Sequence, residues 1–343
     1  MSDQVTAFAP GRVNLIGEHT DYNDGLALAF AVDEGVTVVA RHAGGRRVSA
    51  VARDLGAEDS FELDAIEPAV GWRAFVRGTV AELARSGISL PGMEIEISGD
   101  LQQGGGLGSS AALEVALALA LGALAGAPAA DRLELAGLCA RVENYWVGTR
   151  SGLLDQIASL YGQRGRGVRI DFRSLDIQPV ALELGEHRLV TLDSGERRVN
   201  LASGYNERRE ECALACELLG VGSLREASAP AARDLAAPLS WRVRHVIAEN
   251  DRVEAAVKAL ARHDLPQLGR LLDASHASLR DDFEVSTPAV ESAVERMKRA
   301  GAIGARLMGG GFGGHVLGLF PAEGQPPDGA REVRPGPGAA LVG

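Results

Sequence analysis

The chain has 343 residues, of which 46% are apolar and 24% charged, and that length suits two packed domains better than one or three. Its 46 acidic against 35 basic side chains give a formal net charge of -11, which argues against a nucleic-acid scaffold and requires any bound anion to be held locally. Only two of the basic residues are lysines, Lys258 and Lys298, both far from the glycine-rich segment in the first third of the chain.

The first 65 residues alternate short apolar runs with turn residues, as in Val36, Val38 and Ala40, and predict a meander of strands. Trp72, Phe75, Val76, Val80 and Leu83 fall at helical spacing up to a stop near Gly87. Met93, Ile95 and Ile97 then alternate as a strand does. The run Gln102 to Ser110 is rich in glycine and leads into a long Ala/Leu helix from about Ala111. A further helix is predicted from Asp131 to Trp146, and a helical start around Leu154 to Leu160. Strands are predicted at Val168 to Phe172 and around Val190 and Leu192. From Tyr205 the pattern is helical, with Cys212, Cys216 and Leu219 on the same face as Tyr205. Val243 to Ala261 and Pro288 to Ala300 read as two more helices. The glycine run Met308 to Gly314 reads as a tight turn between the last helix and the strand Val316 to Phe320. One more strand is predicted at Arg331 to Arg334. A domain boundary is expected between residues 175 and 200.

The three cysteines, Cys139, Cys212 and Cys216, cannot form a disulfide framework and read as buried free thiols. The first residues carry no secretory pattern. The longest apolar stretch, Ala111 to Ala125, contains Glu114 and falls short of the ~20 residues that span a bilayer, so a cytoplasmic protein is expected.

Two segments invite chemistry. Glycines at 104 to 108 let main-chain amides approach an anion, and the helix that follows offers its positive end, so phosphate is the natural guest. The loop lacks the Gly-Lys-Ser/Thr of a Walker A sequence, and protein-kinase signatures are absent. Ser109 and Ser110 read equally well as helix caps. The second segment, Pro10 to Gly25 (PGRVNLIGEHTDYNDG), packs Arg, Asn, Glu, His, Asp and Tyr into one turn-rich stretch, which suits hydrogen bonding to a polyol. A solvated loop with an internal salt bridge has the same composition.

Together with Met308 to Gly314, these segments resemble the signatures of the GHMP small-molecule kinases, and GRVNLIGEHTDYNDG is similar to the galactokinase branch. Glu143 to Gln156 (ENYWVGTRSGLLDQ), Ser203 to Arg209 (SGYNERR) and Ser275 to Asp281 (SHASLRD) are family-like as well. The resemblance therefore covers roughly residues 5 to 320 in the family's order. It implies an α+β enzyme of two lobes, residues 1–185 and 186–343, with the active site between them. The N-terminal lobe would be like ribosomal protein S5 domain 2, and the C-terminal lobe ferredoxin-like.

Carried over position by position, the resemblance implies that Arg12 offsets charge on the migrating phosphoryl and that Asp155 takes or orients the proton of the attacking hydroxyl. Glu18, His19, Asp21, Gly152, Asp155 and Tyr205 would hold the sugar. Gly104, Gly105, Gly106, Leu107, Gly108, Ser109 and Ser110 would cradle the ATP phosphates, with Trp72 near adenine. Ser110 and Glu143 would complete the shell of a magnesium ion. These roles suit phosphoryl transfer, which asks for alignment and charge neutralisation, not covalent chemistry. The implied reaction moves the γ-phosphoryl of MgATP to the C1 hydroxyl of α-D-galactose, the first step of galactose use by the Leloir pathway. Its alternatives are a kinase of N-acetylgalactosamine or arabinose, and a non-catalytic sensor of galactose and ATP. The implied partners are galactose and ATP, without nucleic acid or membrane; a monomer is compatible with the sequence. His315 after Gly314 and Ser151 before Gly152 depart from the common family residues, and the C-terminal half is shorter than usual.

Overall fold

Alternating apolar residues at the start of the chain fold into four strands, β1 (Gln4–Ile16), β2 (Leu26–His42), β3 (Arg47–Ala52) and β4 (Ala57–Glu62). The structure, a computed structural model, describes residues 3–101, 106–127, 131–196 and 201–343. Helix α1 (Trp72–Arg85) and strand β5 (Met93–Gly99) follow as predicted, and β5 buries Met93, Ile95 and Ile97 on one face. Helix α2 (Ser109–Leu124) is built almost wholly of Ala and Leu, strong helix formers that are apolar on every side, and it is accordingly buried nearly all round. Helix α3 (Arg132–Val142) is capped by the Asp131 carboxylate, which accepts from the amide of Leu133 at 2.7 Å. It continues into one wide turn, Glu143–Val147, and then comes α4 (Leu154–Tyr161). The rest comprises β6 (Arg166–Asp171), β7 (Asp176–Ala181), β8 (Arg188–Asp193), α5 (Leu201–Leu219), the short α6 (Ala229–Ala232), α7 (Leu239–Ala261), α8 (Leu265–Asp281), α9 (Pro288–Arg299), β9 (Gly304–Leu307), β10 (His315–Phe320), β11 (Arg331–Val333) and β12 (Ala340–Val342).

The strands form two sheets. The first runs β12-β1-β2-β5-β3-β4, with β6 pairing the start of β2 and β7 beyond it; the second runs β11-β8-β10-β9. The first sheet lies in one apolar core, which also takes Leu189, Leu317, Leu319 and Val333 from the second sheet, while Val190, Leu192, Val316 and Phe320 of the second sheet lie in another. Helices α7 and α8 serve both. Val243 and Val246 of α7 lie in the second core and Val253 and Ala256 in the first, while α8 gives Leu268 and Leu272 to the first and Leu279 to the second.

Three expectations are corrected. The segment from Pro10 is not one turn-rich loop, because its first half is the end of β1, and only Gly17 to Gly25 forms turns. The Met308 to Gly314 run joins two antiparallel strands, β9 and β10, not a helix and a strand. Cys216 is half-buried, while Cys139 and Cys212 are buried as expected. The site owes its geometry to β1, whose register on β2 slips between Pro10 and Arg12 and again between Asn14 and Ile16. Such bulges re-aim side chains without ending the strand, and Arg12 and Asn14, still paired with Ala31 and Ala29, stand beside them.

Candidate active site

Arg12, on the bulged end of β1, is buried with 6% of its surface exposed. Its guanidinium grips the Asp155 carboxylate in the first turn of α4 with two parallel bonds, Nε to Oδ1 at 2.7 Å and Nη2 to Oδ2 at 2.6 Å. Its Nη1 donates to the carbonyl of Gly106. The Arg12 amide also donates to the Leu107 carbonyl at 2.7 Å. One residue therefore ties the first strand, the glycine loop and the α4 acid together.

These groups line a cavity of about 290 Å³. On its second side stand Glu18, His19, Asp21, Gly152 and Tyr205. The buried Glu18 carboxylate accepts from Asn14 Nδ2 and from the amide of Gly309, both at 2.7 Å, and Arg306 Nη2 lies 3.2 Å away. Burial pushes its carboxyl above the usual range against the pull of Arg306. His19 bonds Tyr22 Oη through Nδ1 at 2.8 Å and packs on the rings of Tyr205 and Phe283. Burial, with His245 nearby, holds His19 down to about 3, so it is neutral at physiological pH. Asp21 is pushed up to about 6, first by burial and then by the like charge of Asp155.

On the third side Ser109 and Ser110 open α2. Glu143, in the wide turn after α3, holds its carboxyl through one oxygen: Ser151 Oγ donates to Oε2 at 2.5 Å and Gln156 Nε2 at 3.2 Å. Burial raises Glu143 to about 7. A second, more apolar cavity of about 530 Å³ meets the first at Ser109 and Ser110, and Trp72, Phe75, Ile97 and Leu101 line it.

The structure thus brings the expected residues to one place, with Trp72 in the adjoining cavity. Leu107 contributes its carbonyl to Arg12 and packs against the core. Gly104 and Gly105 lie outside the described residues. Sequence reasoning missed Gly309, Gly310, Thr149 and Ser151, which also line the cavity. It missed Arg209 too, which donates from Nη1 to the carbonyl of Arg150 and lies over the Tyr22 ring. The glycine run was a visible signal for the first two; Arg209 closes the family-like segment Ser203 to Arg209, but an arginine on a helix does not by its residue type single itself out. Among the described residues no cluster of three or more His, Cys, Asp or Glu side chains could hold a metal ion, and no helix is long and apolar enough to cross a membrane.

Comparison with known proteins gives the family. Residues 1–42 match the galactokinase galactose-binding signature, residues 74–163 the GHMP kinases N terminal domain, and residues 256–336 the GHMP kinases C terminal domain. The chain is 42% identical to the galactokinase of Mycobacterium tuberculosis over 93% of its length and 90% of the relative's. It is 41% identical to that of Roseiflexus sp., covering 92% of this chain and 83% of the relative. The crystal structure of Lactococcus lactis galactokinase complexed with galactose superposes with a TM-score of 0.92 at 32% identity, covering 99% of this chain and 96% of that one. Methanococcus jannaschii mevalonate kinase, at 18% identity and a TM-score of 0.67 over 97% of this chain and 98% of that one, shares the fold. By sequence along most of its length and by structure along nearly all of it, this chain belongs to the galactokinase family of GHMP kinases.

Proposed function

We infer that the chain transfers the γ-phosphoryl of MgATP to the C1 hydroxyl of α-D-galactose, giving galactose 1-phosphate. The observation that carries this reading is the Arg12–Asp155 pair in a cavity lined by polar side chains, which meets an apolar cavity at Ser109 and Ser110. The polar cavity suits a sugar, and the apolar one, with Trp72 at its wall, suits a purine. Between them the first amides of α2 and the Arg12 guanidinium favour phosphate charge. Asp155 accepts or orients the proton of the attacking hydroxyl, while Glu18, His19, Asp21, Gly152 and Tyr205 fix the ring so that this hydroxyl faces the phosphates.

Ser110 and Glu143 fit a magnesium ion carried in with ATP. One hydroxyl and one carboxylate form the sparse protein ligand set that magnesium takes when phosphates and water supply the rest. Bound there, the ion would neutralise phosphate charge. The two-lobe division at 185/186 is supported by the break between the sheets, although β12 crosses back onto β1. A cytoplasmic home suits ATP as the donor.

Incubation with MgATP and galactose, N-acetylgalactosamine or arabinose, followed by NMR of the products, tests the reading. Galactose 1-phosphate should form fastest; faster turnover of another sugar would reassign the substrate, and no ADP with any of them would leave a sensor.

Two further results are expected on the sugar side. A Cβ on Gly152 would fall 2.1 Å from Asp21 Oδ2, 2.5 Å from its Cγ and 2.9 Å from its Cβ, so an alanine there displaces Asp21. Gly152→Ala should therefore raise the galactose KM by about 10-fold or more, the loss of one charge-assisted bond, with the MgATP KM unchanged. An unaltered galactose KM would take Asp21 off the sugar.

The Asp21 carboxyl, pushed up to about 6, must be ionised to accept from sugar hydroxyls on both oxygens. Because this pKa is raised, the acceptor form is lost as pH falls through that value. At saturating MgATP, kcat/KM for galactose should drop about tenfold per pH unit below it and level off above. Asp21→Asn should abolish that limb, and a limb that persists in Asp21→Asn belongs to another group.

A further inference from the structure

The segment Ser275 to Asp281 stood out in the sequence and has no part in the site as described. It lies on α8, at the level where that helix passes from the first apolar core to the second. Glu249 sits at the corresponding level of α7. Buried polar groups are expensive at such a seam, where apolar packing would serve stability better. Their bonds show what they hold.

Glu249 is completely buried, and its Oε1 accepts from the amide of Gly17 at 3.0 Å and from Ser275 Oγ at 2.7 Å. Arg252 Nε donates to Oε2 at 2.6 Å. Burial alone would raise this carboxyl, but Arg252 and its other neighbours hold it down to about 2, so the amide of Gly17 faces a full charge. One residue further along, the Glu18 carbonyl is bonded at 3.1 Å by His245 Nε2, whose Nδ1 pairs with Ser278 Oγ at 2.9 Å. Arg306, from β9, donates to the carbonyls of Leu15 at 2.9 Å and Asn14 at 3.2 Å.

The main chain from Asn14 to Glu18 is thus held by side chains more than 200 residues away. Gly17 is the pivot of that stretch. Its φ of 101° belongs to the region that favours glycine, and a Cβ there would meet the Leu26 carbonyl at 2.5 Å. The next two residues, Glu18 and His19, face the sugar-side cavity. A change in the pivot would therefore move both sugar-facing side chains, while Trp72, Ser109 and Ser110 make no bond to this network in the structure.

We propose that Glu249, backed by Ser275, is a positioning residue that fixes the Gly17 turn so that Glu18 and His19 meet the sugar, making sugar affinity depend on the α7–α8 seam. The proposal rests on the galactose-kinase reading above and adds a residue that touches neither substrate.

The test compares Glu249→Gln and Ser275→Ala with the wild type for galactose KM, MgATP KM, kcat and melting temperature. Glu249→Gln keeps the shape and an acceptor but loses the charge. Its galactose KM should rise by about 10-fold or more, since a displacement of about 1 Å at a binding group is enough to cost that much, and its MgATP KM should stay within about twofold. Ser275→Ala keeps the carboxylate and its bond to Gly17, so its galactose KM should rise less, by about threefold, with the same selectivity. A merely structural role predicts lower melting temperatures with both KM values moving together or neither moving, and either result overturns the proposal. Should Glu249→Gln fail to fold, Ser275→Ala decides by the same criterion. A wild type that leaves galactose unphosphorylated defeats the functional reading; an active wild type with unselective variants defeats this inference alone.

Discussion

Asp155→Asn is expected to lower kcat by about 10²-fold or more while galactose binding persists. The carboxylate of Asp155 has two partners on one guanidinium, with Arg12 Nε on Oδ1 and Nη2 on Oδ2. An asparagine of the same shape keeps one of these bonds and turns an amide donor against the other Arg12 nitrogen. It cannot take up the proton that the attacking hydroxyl must lose. A general base contributes about 10²- to 10⁴-fold, so the chemical step carries the loss. Glu18 and His19 keep their own supports, which come from Asn14 on β1, Tyr22 and the amide of Gly309 rather than from Asp155. Steady-state rates with calorimetric galactose binding separate the two effects. A variant turning over at the wild-type rate would take Asp155 out of the reaction. Weakened galactose binding with unchanged kcat would make it a sugar ligand only.

The part of this site that was legible in the sequence is the part written in one stretch. Arg12, Glu18, His19 and Asp21 stand within ten residues on a strand end and the turns that follow, and their density of hydrogen-bonding groups is visible without a structure. Asp155 and Glu143 became legible only through family resemblance, since a lone carboxylate near a helix end looks like a cap or a surface charge. Arg306, His245 and Glu249 were not legible at all. Each acts on main-chain groups of Asn14 to Glu18, and no local pattern records a bond between residues so distant in the chain.

The same physics hid α8. Periodicity reads polar residues as exposed ones, but Ser275, His276 and Ser278 are buried, so the helix lost its apparent apolar face in its second half. Strands β9 and β12, of four and three residues, are too short to show alternation. In β7 only Ile177 and Val180 are even partly covered, a spacing that shows no strand alternation. Glu114 was visible as the one charged residue in an Ala/Leu helix. It was read as a break in an apolar stretch, whereas it is buried beside Gln156, which bridges it to Glu143 at 3.2 Å on each side. That bridge links the interior of α2 to the carboxylate proposed to hold magnesium.

Arg12→Lys, which preserves the charge, is expected to lose about 10³-fold in kcat, more than Asp155→Asn, because its planar fork does more than neutralise phosphate. Three of its side-chain nitrogens are already engaged, two on Asp155 and one on the Gly106 carbonyl. A lysine offers one point charge on a flexible stem and can replace at most one of these partners in place. The acid would then lose its orientation and the glycine loop its tie to β1 in a single substitution. Since much of the damage passes through Asp155, the double variant with Asp155→Asn should be worse than Arg12→Lys by far less than the single Asp155→Asn loss. Single-turnover rates for the four proteins of this cycle measure the coupling directly. Losses that multiply would show two independent groups that happen to touch, and the Arg12–Asp155 pair would then no longer carry the assignment of the reaction to this cleft.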